Sequence, residues 1–217
     1  MDFAADQFLP DAFARGGIAC PPAIGRSVRK RQAEYFFGRL AARHALHQQG
    51  LVIHPDTVQI ASGDAREPVW PATAVGSISH THRLAISAVA PADRWRGIGI
   101  DLEPLASPDA QKALQATVIN ASELALLQRL HDAGELALDA LLTLVFSAKE
   151  SLFKASFPAV GRYFDFSAAQ LTGVDVAAGC LQLRLGESLC QSLPAGHLCH
   201  VGFGWVDAQT LVTYRVW

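Results

Sequence analysis

Gly99-Ile100-Asp101-Leu102-Glu103 and Phe146-Ser147-Ala148-Lys149-Glu150-Ser151-Leu152-Phe153-Lys154 are the two stretches whose reading decides the fold. Side chains alternate along a strand, so Ile98, Ile100 and Leu102 share one face and Gly99, Asp101 and Glu103 the other. The second stretch has helical spacing. Thr143, Ser147, Glu150 and Lys154 form a polar stripe, with Leu141, Val145, Ala148 and Leu152 beside it as an apolar one. Two carboxylates on a strand, with a third carboxylate and a lysine on a helix, suit a hard cation holding a phosphate. Mg²⁺ takes oxygen ligands and is commonly held by one or two carboxylates together with substrate phosphates. Either stretch alone reads as readily as a wet strand face or as a surface pair of Glu150 and Lys154; their joint occurrence favours the site.

Outward from this pair, a helical pattern over residues 27–49 opens with Arg29-Lys30-Arg31 and stops at Gly50. Strands are predicted at 57–61, 75–79 and 84–90, the last joined by Pro91-Ala92-Asp93 to the strand of Asp101 as in a hairpin. Helices are predicted at 109–131, capped at Asp109, and at 135–157, separated at Gly134. Strands at 169–176, 181–185, 199–206 and 211–217 form a closing meander, and residues 1–25 read as irregular. Helix then strands, followed by helices then strands, predicts an α+β protein of two halves rather than a parallel βαβ sheet. The division is expected at residues 1–96 and 97–217.

At 217 residues, half of them hydrophobic and 18% charged, the chain has ample material for a packed core. A net charge of −2 argues against a polyanion-binding role spread over the whole sequence. The start lacks the charged end and apolar run of a secretory signal. The richest apolar stretch, 136–146, is short and interrupted by Asp139, so no bilayer span is expected. Cys20, Cys180, Cys190 and Cys199 have no CxxC spacing, which points to a reducing cytoplasm.

Ser77-Ile78-Ser79-His80-Thr81-His82 ends a predicted strand with a dense set of donors suited to phosphate oxygens. A turn motif or an ordinary surface histidine is the plainer reading. Zinc at His80 and His82 lacks further ligands at a recognised spacing. Ser79 as a hydrolase nucleophile lacks the surrounding G-x-S-x-G elbow. Arg26, Arg29, Lys30, Arg31, Arg39 and Arg43 concentrate charge near the first helix, either as a solvated face or as a clamp for a phosphate monoester. Arg66-Glu67-Pro68 places another arginine before a rigid turn.

Ser79-His80-Thr81, the Gly99–Glu103 stretch, and Phe146, Lys149, Glu150 and Lys154 occur in the order and approximate spacing of the 4′-phosphopantetheinyl transferases of the surfactin-activating type, which the chain resembles. Residues 146–166 look most like the enterobactin-synthase component D branch, and the similarity covers about residues 66–167. The resemblance implies transfer of the phosphopantetheine arm of coenzyme A to a serine of an acyl or peptidyl carrier protein, with release of 3′,5′-ADP. It implies two similar α+β halves in one chain, a monomeric pseudo-dimer, with coenzyme A in the cleft between them. By position, Asp101, Glu103 and Glu150 would hold Mg²⁺ (or Mn²⁺) on the pyrophosphate. Ser79 and His80 would contact the nucleotide, His80 near the 3′-phosphate. Lys30 and Arg43, with Arg66, would bind that same end, and Lys149 and Lys154 the pyrophosphate. Glu150 is the candidate base for the carrier serine, directly or through water, and Lys154 the group that stabilises the leaving 3′,5′-ADP.

The chain departs from the family in carrying Arg66-Glu67-Pro68 where many relatives have Gly-Lys-Pro or Gly-Arg-Pro, and Phe146 where many have tryptophan. Two other readings use the same residues: a Mg²⁺-dependent hydrolase of coenzyme A or a related dinucleotide, and a non-catalytic carrier-binding module. For the carrier-docking face, the predicted helix after the Asp101 strand is the candidate. Its Val118, Ile119, Leu126 and Leu127 exceed one buried stripe, with Lys112 and Arg129 nearby.

Overall fold

The computed structural model describes residues 1–217. The first of them are not wholly irregular. One-turn helices α1 (Ala12–Arg15) and α2 (Pro22–Gly25) fold back so that Phe3, Phe8 and Phe13 form an aromatic cluster with Phe36. Phe36 belongs to α3 (Arg29–Gln48), the long basic helix. It ends before Gly50, whose φ of +67° is open to glycine at no steric cost. The strand expected at 57–61 does not form as such: Thr57 ends a 3₁₀ turn, Pro55–Thr57, which Pro55 starts more readily than a ladder, and residues 58–60 are irregular. Only a short ribbon follows, β1 (Ala61–Ser62) paired with β2 (Pro68–Val69). The hairpin β3 (Ala74–His80) and β4 (Ala85–Pro91) completes this half, with α3 packed across it.

The second half begins with β5 (Ile98–Pro104), and here the hairpin expected between the strand at 84–90 and the Asp101 strand is corrected. β4 pairs with β3 alone. β5 instead lies antiparallel to the last strand, with Asp101 opposite Thr213. Pro91 closes β4, and the connection through Trp95 carries the chain across the seam between the halves. After β5 the single helix expected at 109–131 is two, α4 (Pro108–Thr117) and α5 (Ala121–Asp132). Asn120 breaks them. Its side chain accepts from the Glu123 amide while the Glu123 carboxylate accepts from the Asn120 amide, a reciprocal cap. The N-cap of α4 is Ser107, whose hydroxyl accepts from the Ala110 amide, and Asp109 sits in the first turn instead. Val118, Ile119 and Leu127 are core residues, and Leu126 packs on that core, so the apolar surplus assigned to a docking face is internal packing.

Helix α6 (Leu138–Val160) then crosses a five-stranded antiparallel sheet, ordered β5-β9-β8-β7-β6. Its other strands are β6 (Ala169–Asp175), β7 (Cys180–Leu185), β8 (Leu198–Asp207) and β9 (Thr210–Val216). The main core lies between this sheet and α4–α6. The result is an α+β protein of two halves, each a long helix on an antiparallel sheet. No helix is long and apolar enough to cross a membrane.

The contact that positions the site is that of α6 on β5. A Cβ on Gly99 would stand 1.9 Å from the Ser151 carbonyl oxygen, and one on Gly97 1.9 Å from that of Ala155. Only glycine lets strand and helix backbones approach this closely. The polar stripe of α6 turns inward rather than to water. Ser147 and Ser151 reach the buried Thr213 hydroxyl at 2.9 and 2.7 Å, and Thr143 accepts from the Ala106 amide.

Gly99→Ala should therefore cost about 1–3 kcal/mol or more through overpacking. Gly204→Ala, whose added carbon meets nothing within 4 Å, should change stability by no more than about 0.5 kcal/mol. Urea unfolding of both variants checks the contrast; equal midpoints would refute the close-contact account.

Candidate functional site

Close packing of α6 on β5 brings four of the expected residues together. Asp101 is 3% exposed, and its Oδ1 accepts from the Lys154 ammonium at 2.6 Å and from the Ser79 hydroxyl at 3.1 Å. Lys154 also donates to the Ile100 carbonyl at 3.1 Å. Glu103, two residues along the same strand face, is pushed up to about 7 by burial, with the neighbouring carboxylates of Asp101 and Glu150 adding to the shift against Lys154. Burial likewise raises Glu150, with Lys154 opposing and Asp101 adding. Three carboxylates and one ammonium thus lie close enough to act on one another's charge.

The residues fit a hard cation. Asp101 Oδ2 is buried with no hydrogen-bond partner, an arrangement that is costly unless a ligand completes it. The three carboxylates are not gathered into a ready cage of three ligands. A Mg²⁺ that keeps waters and shares phosphate oxygens needs only one or two carboxylates directly, so the donor set is sufficient.

Beside this centre opens a cavity of about 750 Å³ between the two halves. Arg31, Arg39, Arg66 and His80 line it from the first half, Phe153 and Lys154 from α6. Glu34 organises the cations. It accepts from Arg31 at 3.4 Å and lies 4.0 Å from Lys30 and 3.9 Å from the His80 ring. His80 Nε2 stands 3.3 Å from Arg31. Burial lowers the histidine's pKa and Glu34 opposes the shift, with Arg31 next in weight on burial's side. The far wall is aromatic: Phe153 stacks on Tyr163, whose hydroxyl donates to the Ala65 carbonyl at 2.8 Å across the seam.

Two expected ligand contacts are not brought here. Arg43 is 2% exposed and its guanidinium donates to the carbonyls of Val58, Gly16 and Gly17, clamping the N-terminal segment onto α3. Lys149 points into the core, donating to Glu123 at 2.8 Å and to the Val118 carbonyl at 2.9 Å. Glu123 also accepts from the Leu171 and Asn120 amides, so this ion pair is fully hydrogen-bonded. Losing one partner of such a buried pair typically costs about 3–5 kcal/mol. Both lysine and arginine are structural in this fold. Lys30 lies at the rim, reaching Glu34 rather than the cavity.

Arg31 and Arg39 were expected only as members of the basic cluster of the first helix, not among the ligand contacts that the family resemblance implies. Their signal was present: Arg31, Tyr35 and Arg39 recur every four residues on one helix face, with the Arg39 guanidinium 4.1 Å above the Tyr35 ring. Each four-residue step drifts by about 40°, which carries Arg43 off that face. Arg66 has a φ of +68°, a left-handed conformation that glycine adopts freely.

Fold and site together define a two-half α+β protein whose central cleft suits an anionic ligand and a hard cation. Residues 21–90 match the model of the 4′-phosphopantetheinyl transferase N-terminal domain, and residues 97–199 that of the 4′-phosphopantetheinyl transferase superfamily. The chain belongs to this superfamily. It is 43% identical over 128 residues to enterobactin synthase component D of Escherichia coli K12, covering 59% of this chain and 56% of that protein. It is 37% identical over 155 residues to the Mycobacterium tuberculosis transferase PptT, covering 70% of this chain and 62% of the relative. For the Nocardia iowensis transferase Npt the figures are 36% over 149 residues, 69% and 62%. The matched stretch therefore spans little more than half the length of these relatives.

Burial of Glu103, with the carboxylates beside it, predicts a pH effect in metal-free protein. With its pKa raised from 4.5 to about 7, Glu103 keeps its proton in the fold while the unfolded chain loses it. Its contribution therefore falls as pH rises through that window and is flat above it. In chelator, Glu103→Gln should melt above wild type at about pH 8 and nearly with it at about pH 4. Parallel melting curves at both pH values would contradict the raised Glu103 carboxyl.

Proposed function

We propose that this chain transfers the 4′-phosphopantetheine arm of coenzyme A to a serine of an apo acyl or peptidyl carrier protein, releasing 3′,5′-ADP. The observation that carries the reading is Asp101, with one oxygen held by Lys154 and the other buried and unpartnered, at the edge of a cation-lined cavity. Family membership supports it, and the printed names of the relatives suggest carriers of siderophore or nonribosomal synthesis. A hydrolase finds no such support, since the matched models and the named relatives are transferases or a synthase component.

Mg²⁺, or Mn²⁺ in its place, would be held by Asp101, Glu103 and Glu150 and would neutralise charge growing on the pyrophosphate. Lys154 would add a fixed positive charge where the leaving 3′,5′-ADP develops its own. The carrier serine oxygen would form the new bond to the β-phosphorus as the bond to 3′,5′-ADP breaks. Its proton would pass to Glu150, whose basicity burial raises above that of an ordinary carboxylate. Arg31 and His80, grouped about Glu34, would take the 3′-phosphate, with Arg39 and Arg66 along the same cavity and Lys30 adding charge from its rim. Residues 1–96 would then act as the nucleotide-binding half and 97–217 as the half carrying metal and base. One chain supplies both walls, so a monomer suffices. Four unpaired cysteines suit a cytoplasmic setting.

Asp101→Ala and Glu150→Gln should each lower transfer by roughly 10²–10³-fold while leaving the fold intact. Mass spectrometry of apo carrier proteins incubated with enzyme, coenzyme A and Mg²⁺ is the assay, reading the gain of one phosphopantetheine arm on serine. Near-normal turnover by either folded variant refutes the assignment. For the 3′-phosphate, calorimetry should show dephospho-coenzyme A binding more weakly than coenzyme A, by about 1.5–3 kcal/mol per charge-assisted bond lost. Arg31→Ala should shrink that gap, and equal affinities in the wild type would remove the pocket.

A further inference from the structure

Strands β3 and β5 run side by side in the same direction, Ser77 beside Ile100 and Ser79 beside Leu102, yet they belong to separate sheets. Two serine hydroxyls stand where a backbone ladder would be. Ser77 Oγ accepts from the Ile100 amide at 3.1 Å, and Ser79 Oγ accepts from the Leu102 amide at 3.1 Å. The two differ in where they send their own proton. That of Ser77 points at the Ile100 carbonyl, 3.5 Å away, whereas that of Ser79 goes to Asp101 Oδ1 at 3.1 Å. Oδ1 thus receives two donors, Ser79 and Lys154, and Oδ2 receives none. Two donors converging on one oxygen fix the rotation of the carboxylate and present the other oxygen. Ser79 is 5% exposed, and with the Leu102 amide and the Lys154 ammonium (3.4 Å) on its oxygen it has no capacity left for a ligand.

We propose that Ser79 is a positioning residue for the cation: it orients Asp101 so that Oδ2 faces the metal, and it does not bind the nucleotide. This rests on the metal reading given above and departs from the nucleotide contact implied for Ser79 by the family resemblance. Partners that orient a metal ligand typically change metal affinity by about 10–100-fold when removed.

The test measures Mn²⁺ binding by electron paramagnetic resonance in the presence of saturating coenzyme A, and coenzyme A binding by calorimetry in chelator. Ser79→Ala should weaken Mn²⁺ binding by about tenfold or more and leave metal-free coenzyme A affinity at the wild-type value. Ser79→Cys, nearly isosteric with a weaker donor, should fall between. Ser77→Ala removes the sister bridge without touching Asp101; it should lower the melting temperature and leave Mn²⁺ affinity unchanged. Unaltered Mn²⁺ affinity in Ser79→Ala or Ser79→Cys overturns the proposal, as does weakened metal-free coenzyme A binding with metal affinity intact. Equal loss of Mn²⁺ binding in Ser77→Ala also overturns it, since the effect would then belong to the seam as a whole. A wild type that binds coenzyme A but no Mn²⁺ overturns the metal reading itself, a result distinct from these.

Discussion

The backbone of α6 rests directly on that of β5, and most of the site follows from this contact. Gly97 and Gly99 remove the two side chains that would hold strand and helix apart. With that gap closed, Asp101 and Glu103 on the strand face Glu150 and Lys154 on the helix. The 2.6 Å pair of Asp101 and Lys154 is a consequence of this approach. The hydroxyls of Ser147, Ser151 and Thr213 fill the narrow space beneath, where longer side chains would not fit and unpaired polar groups would be costly.

Electrostatic cost is concentrated where the chemistry is proposed. The core of the second half buries one ion pair, Lys149 with Glu123, and satisfies it with the Val118 carbonyl and two backbone amides. One residue further along the helix, Glu150 joins Glu103 and Asp101 without equivalent compensation, and both Glu103 and Glu150 are pushed toward their neutral forms. A folded chain tolerates such an imbalance when a bound cation offsets it. The neighbouring lysine and glutamate thus have opposite roles: Lys149 completes the packing, and Glu150 is left incomplete.

The seam between the halves is a second economy of the design. β3 and β5 lie alongside one another but are joined through serine side chains, so the nucleotide-side cations around Glu34 and the carboxylates on β5 meet across a junction of few bonds. Arg83 adds a peripheral tie by pairing with Asp207, and Tyr163 another by donating to Ala65. The cavity forms because the sheets remain separate there.

Local pattern alone determined a good deal. The period-two face of residues 98–103, the helical stripes of residues 141–154 and the basic helix ending at Gly50 were legible, since each depends only on side-chain periodicity and a terminating residue. So were the α+β class and the placement of Asp101 on a strand and Lys154 on a helix, which the fold pairs at 2.6 Å. Tertiary structure alone decided which strand pairs with β5, because several strands of similar pattern compete and register is chosen by packing. It decided that Val118, Ile119 and Leu127 are core, and that Arg43 and Lys149 serve backbone carbonyls and Glu123 rather than a ligand. A charged side chain at a given spacing has a known helix face but no known partner. Whether it meets a carboxylate, a carbonyl or open cavity depends on elements distant in sequence, and only the packed chain brings those to it.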